Sequence, residues 1–344
     1  MIALKAPMKH RISIKDIAEV AGVSAPTVSR ALQGNGRMSE QTRQQILTVA
    51  QQLGYTPSLV ARGLVTQRSH SVGLVVTSFA DPFHSEVVQG VEEEAQRHDF
   101  SLFLASTEID PEREVKVVRS LQGRQVDGVI VSSSRVGNRY ADLLQDSGIP
   151  LVLINTHVDN DNIHAVYHDD YRGGRLLLEH LLARGYHRIA YLGDARGGRI
   201  TIERRRAWVD VLQAAGLAAN VAVNGADGRL ESGAVAAEQL LQAAQTEWGQ
   251  PPDAIYCYND MMAIGVLSVL TRRGLKIPDD IAVTGFDDVD VAAFTTPPLT
   301  TLHQPRREMG VKAMRVLLNL INGQPESQPR ATVMVGDLII RSST

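Results

Sequence analysis

From Ser71 onward, short apolar runs alternate with amphipathic helical stretches, and this alternation restricts the possible folds more than any other feature. Runs that are apolar throughout are typical of strands buried on both faces of a parallel sheet. Parallel strands need crossover connections, which are usually helical, so the alternation predicts an α/β fold with doubly wound parallel sheets. The predicted strands span residues 72–76, 102–104, 126–131, 151–154, 165–167, 189–192, 255–258 and 281–283, and the predicted helices span 83–97, 112–121, 141–145, 171–183, 202–214 and 261–272.

This rhythm occurs in two successive sets, which predict two lobes separated by a cleft. In open α/β sheets, ligands bind beyond the carboxyl ends of the strands. Asn155, Asn259 and Asp287 each follow a predicted strand. These three polar side chains are therefore predicted to face the cleft.

The first sixty residues have a different pattern, that of three short helices. Ser13 and Asp16 have the spacing of a capping box at the start of the first helix, and Gly22 ends that helix. Pro26 lies in the first turn of the second helix, where its missing N–H costs little. A third helix is predicted over about 39–53. Two helices joined by a tight turn and braced by a third indicate a helix-turn-helix head, although a generic three-helix module has the same pattern.

Charge is distributed unevenly along the chain. The net charge is −3, yet residues 1–66 carry +5, so the remainder carries −8. A basic head on an acidic body indicates that only the head contacts a polyanion. A solvated basic tail is the alternative interpretation.

Composition limits the compartment and the chemistry. Cys257 is the single cysteine, so the chain has no intrachain disulfide framework. No apolar stretch reaches the roughly 18–20 residues of a membrane helix, and the basic N-terminus lacks the apolar core of a signal peptide. The expected location is the cytoplasm, with no membrane partner. The histidines show no metal-binding spacing, and no phosphate-loop, dinucleotide or nucleophile-elbow motif occurs, so no metal, cofactor or catalytic residue is predicted.

The head resembles the DNA-binding head of the lac repressor family in residues 16–24 (DIAEVAGVS) and 27–30 (TVSR). Residues 55–57 (YTP), together with Ala61, Arg62 and Leu64, resemble that family's hinge. The resemblance implies that Leu64 enters the minor groove, where apolar wedges bend DNA. It also implies DNA contacts from the second helix, involving Ser24, Ala25, Pro26, Thr27, Ser29 and Arg30.

The body resembles the same family's sensor in residues 256–265 (YCYNDMMAIG), 285–288 (GFDD) and 298–301 (PLTT). That sensor has the fold of periplasmic sugar-binding proteins, with interleaved chain ends. The implied domains are a helix-turn-helix domain at 1–56, a hinge helix and linker at 57–70, and an effector-binding and dimerisation domain at 71–344. Within this last domain, lobe one spans about 71–157 plus 303–323, and lobe two spans about 163–297 plus 328–341.

The resemblance, with strand-end position, assigns a ligand set in the cleft. Arg supplies a planar fork of donors and Asp supplies acceptors, so together they can clamp adjacent hydroxyls of a sugar. Arg204, Asn259 and Asp287 form the core set, and Asn155 and Gln304 are second choices. Phe83 and Phe79 are candidates for an apolar wall against the C–H face of a sugar.

Several of these residues have a purely structural interpretation as well. Arg204 lies in a run of three arginines typical of a solvated helix face, and Phe83 lies where it can pack the lobe. Asp260 is expected to cap the following helix, and Asp288 is either a ligand residue or an exposed turn residue. Five further side chains are expected in structural places: Trp208 and Phe286 in the core, and Arg196, Arg199 and Arg306 on the surface, although these arginines also suit a phosphorylated or acidic ligand.

Four functions are compatible with parts of this pattern. The first is a ligand-switched repressor that binds a pseudo-palindromic operator as a homodimer and responds to a sugar or sugar derivative. The others are a solute-binding protein of a transport system, an enzyme of the doubly wound class, and an architectural DNA protein. The head argues against a transport protein, and the large acidic body argues against an architectural one. The sign of the switch, the effector, the operator and the assembly beyond a dimer are left open by the sequence.

Overall fold

The computed structural model of the protein describes residues 12–32, 38–55, 68–136, 149–156, 163–324 and 329–344. The chain divides into two units, the head (1–69) and the body (70–344). Leu64, almost all of the predicted hinge and the predicted helix at 141–145 lie outside the described residues.

Three short helices form the described part of the head: α1 (Ile14–Ala21), α2 (Ala25–Leu32) and α3 (Glu40–Gln52). The predicted capping box is present, because the Ser13 backbone N–H donates to the Asp16 carboxylate at 2.7 Å and the Asp16 N–H donates to the Ser13 hydroxyl at 3.4 Å. Gly22 ends α1 with a φ of 67°, a left-handed conformation that favours glycine. One apolar side chain from each helix, Ile17, Val28 and Ile46, is fully buried in the common core.

The first lobe of the body is built on a six-stranded sheet. Its strands are β1 (Ser71–Val76), β2 (Ser101–Ser106), β3 (Gly128–Ser132), β4 (Leu151–Ile154), β5 (His164–His168) and β11 (Ala331–Met334). All neighbours pair in parallel, in the spatial order β11-β5-β4-β3-β1-β2. The helices of this lobe are α4 (Phe83–Arg97), α5 (Pro111–Gly123) and α10 (Arg306–Ile321). Apolar clusters cover both faces of the sheet, as the continuous apolar runs predict.

The second lobe is built on a four-stranded parallel sheet. Its strands are β6 (Ile189–Asp194), β7 (Ala222–Gly225), β8 (Ala254–Cys257) and β9 (Ala282–Thr284), in the order β7-β6-β8-β9. Its helices are α6 (Asp170–Ala183), α7 (Arg199–Ala214), α8 (Leu230–Trp248) and α9 (Asp260–Arg272). A small antiparallel pair, β10 (Thr301–His303) with β12 (Asp337–Ile339), completes the body.

The predicted boundaries of the lobes are wrong at two strands. Residues 163–168 and 331–334 were predicted in the second lobe, but β5 pairs with β4 and β11 pairs with β5, so both strands extend the six-stranded sheet. A short apolar run specifies that a strand forms, but not which sheet it joins, because the pairing is decided by contacts distant in sequence.

The interleaving of the chain ends is confirmed by α10, which returns to the first lobe and packs on α4. Two glycines allow the two helices to approach closely. A Cβ on Gly90 would lie 2.1 Å from the Arg307 carbonyl oxygen, and a Cβ on Gly310 would lie 2.3 Å from that of Val87. The first lobe is thus closed by a helix whose sequence lies more than two hundred residues from its partner.

No helix within the described residues is both long enough and apolar enough to cross a membrane.

Candidate functional site

A cavity of about 290 Å³ lies between the two lobes, beyond the carboxyl ends of their strands. Six of the seven side chains proposed to contact a ligand line this cavity: Phe83, Asn155, Arg204, Asn259, Asp287 and Gln304. They come from both lobes and from the segment that follows β10. The structure therefore brings together residues that are more than two hundred positions apart in the chain.

Arg204 is buried on α7, and its guanidinium donates hydrogen bonds to several acceptors. Its Nε and Nη2 donate to Asp170 Oδ1 at 2.9 and 2.7 Å, and its Nη1 donates to the Tyr258 carbonyl oxygen. The guanidinium carbon lies 3.5 Å from the centroid of the Phe286 ring. Burial disfavours the charged form, but the charges of Asp170 and Asp287 outweigh burial and raise the pKa of Arg204. Arg204 is therefore a buried, fixed cation rather than part of a solvated helix face.

Asp287 lies after β9 with a φ of 116°, a backbone conformation that non-glycine residues rarely adopt. Its Oδ1 accepts a hydrogen bond from Gln304 Nε2 at 2.6 Å and lies 3.8 Å from Arg204 Nη2. Burial raises the pKa of Asp287 well above its usual range, and the Arg204 charge offsets only part of this effect. A backbone held in a rare conformation next to a cavity is typical of a functional site.

A chain of amide groups connects Asp287 to the first lobe. Asn155 Nδ2 donates to Gln304 Oε1 at 3.3 Å, and Asn155 Oδ1 accepts from the His168 backbone N–H at 3.2 Å. Asn155 itself has a φ of 49° at the end of β4. The two lobes are thus joined through hydrogen bonds at the wall of the cavity, where a ligand would contact them directly.

Asn259 and Phe83 combine a structural role with a position at the cavity. Asn259, and not Asp260 as predicted, is the N-cap of α9, because its Oδ1 accepts from the Met262 N–H at 2.9 Å. Its Nδ2 donates to the Gly228 carbonyl oxygen at 3.0 Å. Phe83 is buried against the first-lobe core while it lines the cavity. Both residues shape the cavity wall through contacts that exist without a ligand.

Three further predictions need correction. Asp260 lies inside α9 and is fully buried, where it accepts from the Val289 N–H at 2.8 Å and from the Thr301 hydroxyl. Arg306, predicted on the surface, is only 2% exposed because Glu86 and the Asp288 carbonyl oxygen both accept from its guanidinium at 2.8 Å. Phe79 is 61% exposed and is not among the residues that line the cavity.

The other structural assignments divide as follows. Trp208 and Phe286 are buried in the core, and Arg196 and Arg199 are exposed, as predicted. Asp288 is not an exposed turn residue, because it forms ion pairs with Arg341 at 2.7 Å and His303 at 3.1 Å.

Several residues of the site were not predicted from the sequence. Asp170 binds Arg204, and although burial pushes its pKa upward, Arg204 and His168 together lower it. Tyr258, Asp194 and Arg135 also line the cavity. Asp194 follows a predicted strand and Tyr258 ends one, so their positions at strand ends could have identified them. Arg135 lies in a Ser-rich loop without a pattern that identifies it.

In the head, α2 presents polar and small side chains to the solvent. Ser24, Pro26 and Arg30 are exposed, whereas Ala25, Thr27 and Ser29 are half-buried. Ser24 and Thr27 hydroxyls are hydrogen-bonded at 2.8 Å, and Arg30 Nε donates to the Pro26 carbonyl oxygen at 3.2 Å. This bond holds the Arg30 side chain along the helix.

Comparisons with known proteins agree with both units of the chain. The model of the bacterial regulatory proteins of the lacI family matches residues 13–58, and the periplasmic binding protein-like domain matches residues 178–344. The HTH-type transcriptional repressor PurR of Mannheimia succiniciproducens is 33% identical over 339 residues, covering 96% of this chain and 98% of that protein. The PurR of Actinobacillus pleuropneumoniae is 31% identical over 333 residues, with the same coverage.

Solved structures show the same arrangement over nearly the whole chain. The lac repressor dimer bound to operator and the anti-inducer ONPF is 26% identical, covers 96% of this chain and 98% of its own, and has a TM-score of 0.84. The complex of the transcriptional regulator CelR with cellobiose is 29% identical, covers 97% and 100%, and has a TM-score of 0.73.

A helix-turn-helix head joined to a two-lobed body with a central cavity defines a ligand-responsive, DNA-binding transcriptional repressor. The chain belongs to the lacI family of bacterial regulatory proteins. The family resemblance and the fold class predicted from the sequence are confirmed.

Proposed function

We propose that this repressor binds a pseudo-palindromic operator as a homodimer and that a sugar or sugar derivative in the cavity of the body switches its operator affinity. The observation that carries the proposal is the polar network that runs from Arg204 through Asp287 and Gln304 to Asn155. It joins both lobes and borders the cavity, so a ligand that binds it acts on the arrangement of the lobes.

The chemistry of the lining supports a polyhydroxylated ligand. Carboxyl oxygens of Asp81, Asp194 and Asp287 offer acceptors, while amides and guanidinium groups offer donors. Sugar hydroxyls both donate and accept, so they suit a lining of mixed character. Phe83 and Ile200 supply apolar surface for the C–H face of a ring. Similar solved structures hold cellobiose and D-xylulofuranose.

The switch depends on thermodynamic linkage between the ligand site of the body and the DNA-binding site of the head. A ligand that favours one arrangement of the lobes changes the free energy of DNA binding only if that arrangement alters how the two heads of a dimer meet the operator. Such coupling typically amounts to about 1–3 kcal/mol and acts in both directions. The ligand either releases the operator or strengthens its binding, according to which arrangement the DNA-bound dimer requires.

On the DNA side, the proposal assigns base and backbone contacts to α2. Helices of this kind enter the major groove with their N-terminal residues towards the bases. The proposed contacts in α2 and in the residue before it are Ser24, Ala25, Pro26, Thr27, Ser29 and Arg30, and Leu64 of the hinge segment is the proposed minor-groove wedge. A cytoplasmic location follows for this proposal, because operator DNA of bacteria lies in that compartment.

The homodimer is supported by apolar side chains on an open sheet edge. Strand β2 is an outer strand of the six-stranded sheet, and its Phe103 and Leu104 are 46% and 43% exposed. Unpaired edges with apolar side chains are typical of association sites. The similar lac repressor structure is a dimer.

A thermal-shift screen of the full chain against neutral pentoses, hexoses and disaccharides tests the proposal. Both tryptophans, Trp208 and Trp248, lie in the body, so their fluorescence follows the unfolding of the ligand-binding unit alone. We expect at least one sugar to raise the unfolding temperature of the wild type and of Asp279→Asn, an exposed control in the same lobe. Asp287→Asn, which lacks a carboxylate in the cavity, is expected to lose most of the shift.

Two results of this screen contradict the proposal. If no sugar changes the unfolding temperature, the effector belongs to another class of molecule. If a bound sugar is chemically converted, as product analysis would show, the body acts as an enzyme.

A further inference from the structure

A second cavity of about 700 Å³ adjoins the first, and its charged residues have no role in the function proposed so far. The two cavities share Ile109, Arg135, Asn155 and Ile200. The two cavities therefore adjoin at these four side chains. The second cavity is bordered by arginines 135, 196 and 199.

Arg135 donates its backbone N–H to Glu114 at 3.0 Å, but its guanidinium forms no ion pair with the residues that the structure describes. It lies in the loop after β3 and lines both cavities, yet no carboxylate of the described residues comes within ion-pair distance of its guanidinium. Its Nε is covered from solvent and has no hydrogen-bond acceptor among the residues that the structure describes. The guanidinium of Arg204, in contrast, donates hydrogen bonds to Asp170 and to the Tyr258 carbonyl oxygen and lies within ion-pair distance of Asp287.

The side chain of Arg135 reaches across the cleft to the start of α7. A Cβ on Gly198, the residue before that helix, would lie 3.7 Å from Arg135 Nη1. The first turn of α7 contains no acidic residue, and no side chain of the residues that the structure describes caps its N–H groups. A guanidinium therefore faces the positive end of a helix dipole, an arrangement that an anion between them would stabilise.

The acidic residues near this point already have partners. Glu108 pairs with Arg229 at 3.1 Å, Asp110 caps α5, and Asp194 accepts from the Arg196 backbone N–H at 2.7 Å. Asp194 is also buried, and burial raises its pKa more than its hydrogen bond from Arg196 and the charge of Arg135 lower it, so its negative charge is weakened at this point. Among the described residues, the Arg135 guanidinium thus has the Asp194 charge nearby but no carboxylate within ion-pair distance where the two cavities meet.

We propose that the effector carries an anionic group, a phosphate monoester or a carboxylate, which binds between Arg135 and the N-terminus of α7 while its hydroxyls occupy the first cavity. This inference rests on the proposed sugar effector and narrows it to an acidic sugar derivative. Arg135 contributes the charged hydrogen bonds, and the N–H groups of the first turn of α7 complete the anion site.

The experiment compares neutral sugars with their acidic counterparts on the full chain. Common aldoses, their phosphate monoesters and their uronates are titrated at constant ionic strength, with inorganic phosphate alone as a further probe, and body unfolding is followed by tryptophan fluorescence. The variants are Arg135→Gln and Arg119→Gln, which removes an exposed arginine from α5 of the same lobe. The head also binds anions, so Arg30→Gln serves as a control for phosphate bound there.

We expect an acidic member of the panel to bind wild type at least about tenfold more tightly than its neutral parent. Arg119→Gln and Arg30→Gln should keep this preference, and Arg135→Gln should lose it. Whether the phosphate ester or the uronate is preferred identifies the anionic group. Since Arg135 lies in a half-buried loop, its variant should unfold at the wild-type temperature without ligand.

The outcomes separate this inference from the proposed function. If neutral sugars bind as tightly as the acidic ones and Arg135→Gln binds all of them normally, the anion site is wrong while the sugar effector stands. If Arg135→Gln retains the preference for the acid, the anion binds elsewhere and the inference is overturned. If no member of the panel binds, both proposals fail.

Discussion

At the residue scale, the guanidinium of Arg204 interacts with the carboxyl groups of Asp170 and Asp287, and it lies closer to Asp170. Arg204 donates two hydrogen bonds to Asp170 but lies 3.8 Å from Asp287. The pKa of Asp170 is accordingly lowered despite burial, whereas burial dominates at Asp287 and raises its pKa. Asp170 therefore holds Arg204 in place, and Asp287 is left with hydrogen-bonding capacity for a ligand.

The first prediction compares two adjacent arginines of α7. Arg204→Gln removes a buried cation and leaves Asp170 without its charge partner, so the body should lose about 3–5 kcal/mol of unfolding free energy. Arg205→Gln removes an exposed arginine one residue along and should change the stability by less than about 0.5 kcal/mol. Urea unfolding followed by tryptophan fluorescence measures both. Equal, small effects of the two variants would show that the Arg204 network does not stabilise the body.

The second prediction concerns the pH dependence caused by Asp287. Its raised pKa means that the folded body holds a proton that the unfolded chain releases above about pH 4. This stabilisation is fully present below that pH and is lost as the pH rises towards the folded pKa. Asp287→Asn does not titrate, so its stability relative to wild type should improve between pH 5 and pH 8. A stability difference that is constant over this range would contradict the assigned pKa.

Side chains of the site differed in how well the sequence could predict them. Asn155, Asn259 and Asp287 follow predicted strands, and topology alone places such residues at the cleft. Asp170 and Arg135 could not be predicted this way, because their importance depends on which partners they meet in the folded chain. The surface position predicted for Arg306 is wrong for the same reason. An arginine at the start of a helix is expected to be solvated, and only the folded chain brings Glu86 within hydrogen-bond distance of it.

At the scale of elements, helix α2 is the part of the head that the proposal places on DNA. Its exposed residues lie at and after the N-terminus, and Arg30 is aligned along the helix by its bond to the Pro26 carbonyl oxygen. The core side chains Val28 and Ala31 face α1 and α3. One face is thus occupied by packing, and the other is free to contact a groove.

The third prediction separates sequence reading from simple charge attraction. Arg30→Ala should weaken binding to an operator selected from a random duplex library by about 1–3 kcal/mol and weaken binding to random DNA much less. Lys15→Ala removes the same charge from the exposed side of α1 and should affect both DNAs alike. Fluorescence anisotropy titrations at several salt concentrations provide the affinities. If the ratio between the loss of operator affinity and the loss of random-DNA affinity is the same for both variants, Arg30 does not read bases.

Among the elements, those with strong apolar contrast were predicted well and those without it were missed. The predicted helix 83–97 has the observed bounds of α4, and the predicted strand 151–154 has those of β4. Helix α8 was missed because alanines, including Ala236, Ala237 and Ala244, form much of its buried face. Strand β7 was missed because it is a partly exposed edge strand with few apolar residues. Neither has the periodic contrast on which such predictions depend.

At the scale of the whole molecule, the proposed dimer leads to a fourth prediction. Phe103→Glu places a charge on the apolar edge of β2 and should shift the protein from dimer to monomer in sedimentation experiments. Phe79→Glu changes a phenylalanine of the same lobe that is more exposed than Phe103 but lies off this edge, and this variant should remain dimeric. A monomeric protein should also bind operator weakly, because a pseudo-palindromic site requires two heads. Dimers of unchanged affinity in Phe103→Glu would place the interface elsewhere.

The central claim is that the cavity of the body and the DNA surface of the head are coupled, and a reciprocal binding experiment tests it most directly. Operator affinity is measured with and without the sugar that gives the largest thermal shift, and sugar affinity is measured with and without operator. The two ratios must be equal if one equilibrium links the sites. We expect both to lie between about 5-fold and 150-fold in wild type and to approach one in Asp287→Asn, whose operator affinity without sugar should be normal. Saturating sugar that leaves the operator affinity of the wild type unchanged would contradict the account.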